Sequence, residues 1–141
     1  MENTTKPAPG KSRWPRVLIT VSVVVGALVL LLTLLPRGAF PTDLSAIGKG
    51  TPALVIARDV NYLAGAEVMD LINTIRPEYE GRVVFLAAHL GHPDGQAFAR
   101  RHGMEDGVVV IFDADGSPTG RLVIPQTADI LRAALDVVAT R

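Results

Sequence analysis

The sequence of 141 residues contains no cysteine. This absence excludes disulfide bonds, thiolate metal ligands and catalysis by a thiol. Aromatic residues are also few, at 5% of the chain, although apolar residues together make up 48%. That apolar share is enough for a packed core, so the sequence predicts a globular part built mainly on aliphatic side chains.

Basic charge is scarce over most of the chain. From Gly38 onward there are nine Lys and Arg against thirteen Asp and Glu, whereas residues 1–16 hold four basic residues and one acidic residue. An acidic C-terminal part without a basic stripe argues against a nucleic-acid-binding protein. The net positive charge of residues 1–16 instead lies directly before a long apolar run.

This apolar run, residues 17–35, contains no Asp, Glu, Lys or Arg. As a helix it would rise about 28 Å, close to the roughly 30 Å of bilayer hydrocarbon. A cleaved signal peptide has a shorter apolar core and a small-x-small site, whereas Arg37 follows this run. The run therefore predicts an uncleaved, single-pass transmembrane signal anchor.

The flanking charges predict how the anchor is oriented. Basic residues concentrate before the run, which places residues 1–16 in the cytoplasm as a basic tail and the rest of the chain outside it. The excess of Arg over Lys and the many alanines indicate a bacterial source, so we expect an inner-membrane protein with a periplasmic domain. Residues 36–50 mix Pro, Gly and small polar residues and are predicted as a tether.

Residues 51–141 predict one α/β domain with the order β-α-β-α-β-β-α. Apolar runs at 53–57, 82–88 and 108–112 are typical of buried strands, and the "DADG" turn at 113–116 predicts a hairpin. Asn61 and Thr127 are expected to cap helices, and Gly103 to end one. The strand–helix–strand unit requires two parallel strands, to which the hairpin adds antiparallel ones.

Several stretches of this domain resemble the thioredoxin fold, over residues 50–138. "TPALVI" is similar to the strand that leads to the active site of that family, and "EYEGRVVFLAA" to the end of its first core helix and the next strand. "VVVIFDADGSPTGRLV" resembles its hairpin. The resemblance implies a central mixed sheet flanked by helices, here preceded by one N-terminal transmembrane helix.

The same resemblance implies where a redox site would lie. Family members carry two cysteines, separated by two residues, at the head of the first core helix, and a cis-proline faces them. Alignment places the cysteines on Tyr62 and Gly65 and the proline on Gly107, so thiol–disulfide exchange is excluded. The remaining surface is a candidate peptide-binding groove, unless Tyr62 and Leu63 pack onto the sheet. Its residues are Asn61, Tyr62, Leu63, Ala64, Gly65 and Gly107.

Two other groups of polar residues are candidate sites. His89, His92 and Asp94 stand in a predicted loop and have the donor atoms for zinc or copper, but no further strong ligand is visible, so surface histidines are favoured. Glu105 and Asp106 are predicted to lie in a solvated turn. The sequence therefore predicts no metal and no other cofactor.

The leading hypothesis is a membrane-anchored, thioredoxin-like domain without redox activity, which binds or scaffolds a protein of the cell envelope. We expect no catalysis from it and no contact with nucleic acid. Two alternatives stay open. One is an accessory role in a thiol-oxidoreductase or cytochrome-assembly system; the other is a metal-binding or enzymatic domain that uses the His89 and His92 loop.

Overall fold

The computed structural model describes residues 14–34 and 39–140. The chain divides into two compact units, Met1–Pro36 and Arg37–Arg141. The described part of the first unit is helix α1, Trp14–Leu34, and every side chain from 17 to 30 is exposed. No helix within the described ranges has the length and apolar character needed to cross a membrane. Most of the predicted basic tail, residues 1–13, and residues 35–38 lie outside these ranges.

The second unit has the predicted element order, β-α-β-α-β-β-α, and the mixed α/β fold class is confirmed. A short 3₁₀ turn precedes the first strand, and another follows the first core helix. The elements are β1 (Ala53–Arg58), α2 (Ala64–Ile75), β2 (Val84–His89), α3 (Pro93–His102), β3 (Val108–Phe112), β4 (Pro118–Val123) and α4 (Ala128–Ala139).

The described strands form one sheet with the order β2-β1-β3-β4. β1 pairs with β2 in parallel, from Ala53 opposite Val84 onward, because α2 carries the chain back to the same end of the sheet. β3 and β4 form the predicted hairpin, in which Asp113 Oδ1 accepts from the N–H groups of Asp115 and Ser117. The two inner strands are thus β1 and β3.

The inner strand β1 contributes to both layers of the core. Its residues from Ala53 to Ala57 are fully buried, which explains the unbroken apolar run in the sequence. Leu54 and Ile56 join the cluster formed with α2 and α4, whereas Ala53, Val55 and Ala57 join the cluster formed with α3. Helices therefore cover both faces of the sheet.

Three local predictions need correction. The predicted loop before α3 is shorter, because the helix begins at Pro93, a residue well suited to a first helical turn. Asn61 does not cap α2: the helix begins at Ala64, and its N-cap residue, Leu63, makes no side-chain bond to it. Thr127 occupies the N-cap position of α4 but also makes no capping hydrogen bond.

The predicted tether contributes to the domain from Phe40 onward. The Phe40 side chain is buried, and its ring centre lies 6.2 Å from that of Phe85. The guanidinium of Arg76 lies 5.1 Å from the Phe40 ring centre. The next residue, Pro41, accepts a hydrogen bond from the N–H of Ala87 in β2, at 2.9 Å. This short segment therefore covers part of the outer edge of β2.

A polar network joins α4 to the 3₁₀ turn Arg76–Tyr79. Arg132 donates two hydrogen bonds to the carboxylate of Glu78, and the Tyr79 hydroxyl donates to Asp136 Oδ1 at 2.7 Å. The Arg132 hydrogen bond lowers the pKa of Glu78. Burial, helped by the acceptor Asp136, raises the pKa of Tyr79 to about 12. The buried phenol therefore favours its protonated form.

Candidate functional site

The site begins in the loop between β1 and α2. The side chain of Asp59 accepts hydrogen bonds from the backbone N–H and the side-chain Nδ2 of Asn61, at 2.9 and 2.8 Å. The N–H of Tyr62 donates to the carbonyl oxygen of Asp59 at 3.3 Å. The Asn61 side chain is thus hydrogen-bonded within the loop. The next residues, Tyr62 and Leu63, point outward, with 66% and 69% of their surface exposed.

The head of α2 is capped by a residue far along the chain. Asp106 Oδ2 accepts from the N–H of Gly65, and Asp106 Oδ1 accepts from the N–H of Asp59, both at 2.8 Å. A carboxylate fits here because the first N–H groups of a helix have no partner within it and its N-terminus carries partial positive charge. Asp106 does lie in a turn, as predicted, but its carboxylate is partly buried and bonded to the backbone, so the prediction of a solvated turn needs correction.

Glycine is required at two positions around this carboxylate. A Cβ on Gly65 would collide with the Asp106 carboxylate, so this close approach depends on the missing side chain. Gly107 has a φ of +80° and donates its N–H to the Ala57 carbonyl at 3.0 Å. A Cβ there would lie 3.2 Å from both Ala64 Cβ and Ile124 Cγ1. These glycines allow α2, β1 and the start of β3 to meet.

Ile124, at the end of β4, has a conformation unusual for its residue type. Its φ is +43°, a left-handed value that β-branched residues rarely adopt. Its N–H donates to the Gly107 carbonyl at 3.2 Å, and Pro125 follows it. Strain of this kind persists where surrounding contacts enforce it, and it is frequent at binding sites.

Exposed apolar residues stand in the two segments that meet at Gly107. One segment is the β1–α2 loop, which leads to Ala64, and the other is the end of β4 with Ile124; Ala64 and Ile124 both flank this glycine. Each of the exposed apolar residues has more than a third of its surface exposed, so together they offer apolar area to a partner. We call this group the α2-head surface; it consists of Val60, Tyr62, Leu63, Val123 and Ile124.

The structure brings together the residues predicted for the groove. Ala64 and Gly107 are in contact range, Gly65 lies under the Asp106 carboxylate, and Tyr62 and Leu63 stand beside them without packing onto the sheet. Asp106, Val123 and Ile124 were missed by sequence reasoning. The sequence held no signal for the Asp106 contact, because Asn61 was a plausible cap at the same end of the helix.

The histidine loop makes a pair of rings and no larger ligand set. The ring centres of His89 and His92 are 4.7 Å apart, and His89 Nδ1 accepts a hydrogen bond from the N–H of Gly91 at 3.1 Å. Asp94 lies in the first turn of α3. Among residues 14–34 and 39–140, no group of three or more His, Asp or Glu side chains could hold a metal ion.

The remaining histidine, His102, is packed within the domain. Its ring centre lies 4.5 Å from that of Phe98 and 5.1 Å from that of Phe112. Burial lowers the pKa of this histidine, and the nearby charge of Arg101 lowers it further. The neutral form is therefore favoured, and the ring acts as part of the aromatic cluster.

The chemistry available at the α2 head is binding by contact. The Asp106 carboxylate already accepts two backbone hydrogen bonds, and the chain has no cysteine that could act beside it. What the surface offers a partner is apolar area, the Tyr62 hydroxyl and the backbone around a strained residue. Such features suit an extended polypeptide better than a small polar substrate.

Comparisons with solved structures support the thioredoxin-like fold. The solution structure of a thioredoxin from Thermus thermophilus matches with a TM-score of 0.58 and 17% identity, covering 70% of this chain and 85% of that chain. A structure described as that of a malarial protein matches with a TM-score of 0.53 and 12% identity, covering 62% of this chain and 97% of that one. No protein-family model and no curated protein matches the sequence. At these identities the likeness concerns the fold, which is thioredoxin-like.

Proposed function

We propose that this protein is a membrane-anchored, thioredoxin-like binding module without redox activity, whose α2-head surface binds an extended segment of a protein in the cell envelope. The observation that carries the proposal is the Asp106 carboxylate at the head of α2, together with the exposed Tyr62 and Leu63 in the loop that enters this helix. The position that supports a reactive thiolate in thioredoxins is used here for structural capping. The surface around it remains open to a partner.

The absence of redox activity follows from the composition. A thiolate at a helix N-terminus is stabilised by the free N–H groups and the helix dipole, and these act on Asp106 in this chain. Zero cysteine leaves no group that can exchange disulfides. The full-length protein should therefore reduce insulin at the rate of a buffer control; a rate above it that survives repeated purification would contradict the proposal.

Binding at the α2-head surface can be tested by site-specific photocrosslinking in cells. A photoreactive phenylalanine analogue at Leu63 should give one defined adduct, because this side chain is 69% exposed within the surface. The same analogue at Val137 serves as the matched control, since Val137 lies on α4 and is also exposed, at 58%. An adduct from both positions, or from neither, would contradict the proposed surface.

A charge substitution adds a second measurement. Leu63→Glu places a carboxylate in the apolar surface and should reduce the adduct formed from an analogue at Tyr62 by about tenfold, since burying an unpaired charge opposes association. Leu63 is exposed, so the circular dichroism spectrum and the unfolding midpoint should not change. Undiminished crosslinking in this variant would show that the partner does not use the surface.

The membrane anchor rests on the sequence alone. Residues 17–35 contain no charged residue, and the run is long enough for one membrane span. Basic residues before this run favour a cytoplasmic N-terminus. The protein should therefore remain in the membrane fraction after alkaline carbonate extraction, and protease added to spheroplasts should digest the domain. Release by carbonate, or protection from the protease, would contradict the anchor or its orientation.

The accessory role in a thiol-oxidoreductase or cytochrome-assembly system uses the same surface and differs in the partner. The identity of the protein crosslinked at Leu63 therefore distinguishes it: a cysteine-containing oxidoreductase would favour this role. The metal-binding alternative has less support, because His89 Nδ1 already accepts a hydrogen bond from Gly91. Zinc titration of the full-length protein and of His89→Ala tests it directly.

A further inference from the structure

The free edge of β4 is a second surface with the properties of a binding site. β4 is the last strand of the described sheet and has a neighbour, β3, on one side alone. Four of its residues are exposed, and the remaining two, Gly120 and Leu122, are partly exposed. An edge strand with unpaired N–H and C=O groups can accept a further strand from another chain.

Basic side chains concentrate beside this edge, although the domain as a whole is acidic. Arg100 and Arg101 lie in the last turn of α3, and Arg121 lies in β4. Arg121 Nη2 donates to the carbonyl of Gly103, which ends α3, at 2.7 Å. A cleft of about 420 Å³ lies between these elements and is lined by Arg101, His102, Val110, Pro118, Thr119, Gly120 and Arg121.

These arginines have no acidic partner in the described residues. The two ion pairs found there are both formed by Arg132, with Glu78 and with Asp129. Arg101 stacks near the Phe98 ring, 5.9 Å from its centre, and Arg121 uses one N–H group on Gly103. Their positive charge is thus held in place by uncharged contacts and is available to an anionic ligand.

We propose that β4 and the adjacent cleft bind an acidic, extended segment of a partner protein, which adds to the sheet as a strand and places its carboxylates against Arg101 and Arg121. Charge complementarity selects this occupant, because two copies of the same edge would bring their own Arg121 residues together. Alternate side chains of a strand point to the same side, so glutamates at every second position can face the cleft. Bidentate hydrogen bonding suits a guanidinium to a carboxylate.

This surface adjoins the α2-head surface, because Val123 at the end of β4 belongs to both, but it has a different centre. Arg121, which pairs with Val110, lies in the middle of the hairpin, whereas Leu63 lies in the β1–α2 loop. Binding at either surface can therefore be disproved without disproving binding at the other. Leu63→Glu should leave binding at β4 unchanged, and this keeps the two proposals distinguishable.

The probe is a fluorescein-labelled nine-residue peptide that alternates threonine and glutamate, titrated with the full-length protein in a neutral detergent. Fluorescence anisotropy should show saturable binding that weakens with salt, as expected for exposed charges. Arg101→Gln combined with Arg121→Gln should weaken binding by about tenfold or more. Lys49→Gln combined with Arg82→Gln is the matched control, since it removes the same charge elsewhere, and should change binding by less than about twofold.

Strand addition needs its own measurement. A peptide of the same charge with proline at its central positions should bind about tenfold more weakly, because proline lacks the donor and disrupts the extended ladder. On binding of the alternating peptide, amide hydrogen exchange should slow in β4 and not in β2, the strand at the opposite edge of the sheet.

Three outcomes would overturn the proposal. Equal affinity for the arginine double variant and the wild type would exclude the cleft. Equal affinity for the proline peptide, without protection of β4, would exclude strand addition. Binding of inorganic phosphate or of phosphatidylglycerol vesicles that depends on Arg101 and Arg121, while the peptide fails to bind, would identify the cleft as an anion or lipid site instead.

Discussion

At the scale of single residues, Asp106 and Gly65 depend on each other. The carboxylate reaches the N–H of Gly65 at 2.8 Å because no side chain stands between them. A helix terminus is usually capped by its own neighbouring residue, whereas here the cap is 41 positions away along the chain. The contact therefore joins the start of α2 to the segment before β3 as well as satisfying a donor.

A double-mutant cycle tests this dependence. Asp106→Ala should lower the free energy of unfolding by about 2 kcal/mol, because two backbone N–H groups lose their acceptor. Gly65→Ala should be destabilising by at least about 1 kcal/mol beside the native carboxylate, but clearly less destabilising in the Asp106→Ala background, where the Ala57 carbonyl oxygen, 3.3 Å from the added Cβ, is the close neighbour that remains. Urea unfolding of the four proteins measures the coupling, and additive effects would mean that the two residues do not interact.

The sequence could not reveal this contact. Glu-Asp-Gly at 105–107 is typical of a solvated turn, and nothing local distinguishes it from one. Asn61 was the plausible cap on the basis of residue type, but its side chain is used by Asp59 two residues earlier. Whether a local or a distant side chain caps the start of α2 depends on which one the fold brings close to the free N–H groups. The residue types alone do not specify this.

At the scale of elements, the segment around Phe40 extends the domain beyond its helices and strands. Phe40 packs in the same cluster as α2 and α4, and Pro41 bonds the edge of β2. The sequence predicted a tether here because Pro, Gly and small residues dominate its composition. A single aromatic residue within such a stretch was the signal that the chain is attached at this point.

Truncating this residue should detach the segment. Phe40→Ala should lower the free energy of unfolding by about 3 kcal/mol, since a buried aromatic side chain and its contacts are lost. Hydrogen exchange at the Ala87 amide, which donates to Pro41, should become faster than at the Leu90 amide, which donates to Arg58 within the sheet. Unchanged protection at Ala87 would show that the segment is held without Phe40.

The contact between Tyr79 and α4 makes stability depend on alkaline pH. The folded-state pKa is about 12 against an ordinary value of 10.0, so the folded protein retains a proton that the unfolded chain loses. The contribution is complete below pH 10, and it decreases as the pH rises from about 10 to 12. Tyr79→Phe loses the hydrogen bond to Asp136, so its free energy of unfolding at neutral pH should be lower by about 1 kcal/mol. Between pH 10 and 12, however, urea unfolding should show a smaller decrease in stability for this variant than for the wild type. An identical pH profile in both proteins would contradict the role of the phenol.

At the scale of the whole molecule, the sequence predicted the α/β class and the order of elements well. The reason is physical: a strand covered on both faces, such as β1 from Ala53 to Ala57, is apolar at each buried position, and the turn at Asp113 forms from local hydrogen bonds. The candidate site was predicted less completely. Its Tyr62 and Leu63 lie in one loop, whereas Val123 and Ile124 come from a segment much later in the sequence.

The second unit, Arg37–Arg141, should fold without the first. The buried apolar residues of the described chain all lie between Phe40 and Val138, so removal of residues 1–36 takes away none of them. A fragment that begins at Arg37 should unfold cooperatively, within a few degrees of the full-length protein in circular dichroism melts. Loss of a cooperative transition in the fragment would mean that the first unit is needed for folding.

The position of β1 at the centre of the sheet has a consequence for biosynthesis. This strand is the first of the domain to be synthesised, yet its two neighbours are β2, about 30 residues later, and β3, more than 50 residues later. Until β3 has emerged from the ribosome, one edge of this apolar strand has no partner, and the nascent chain is prone to aggregate. A holdase chaperone that recognises short aliphatic stretches should therefore act on "ALVIA" during translation and release it once residues 108–112 are available.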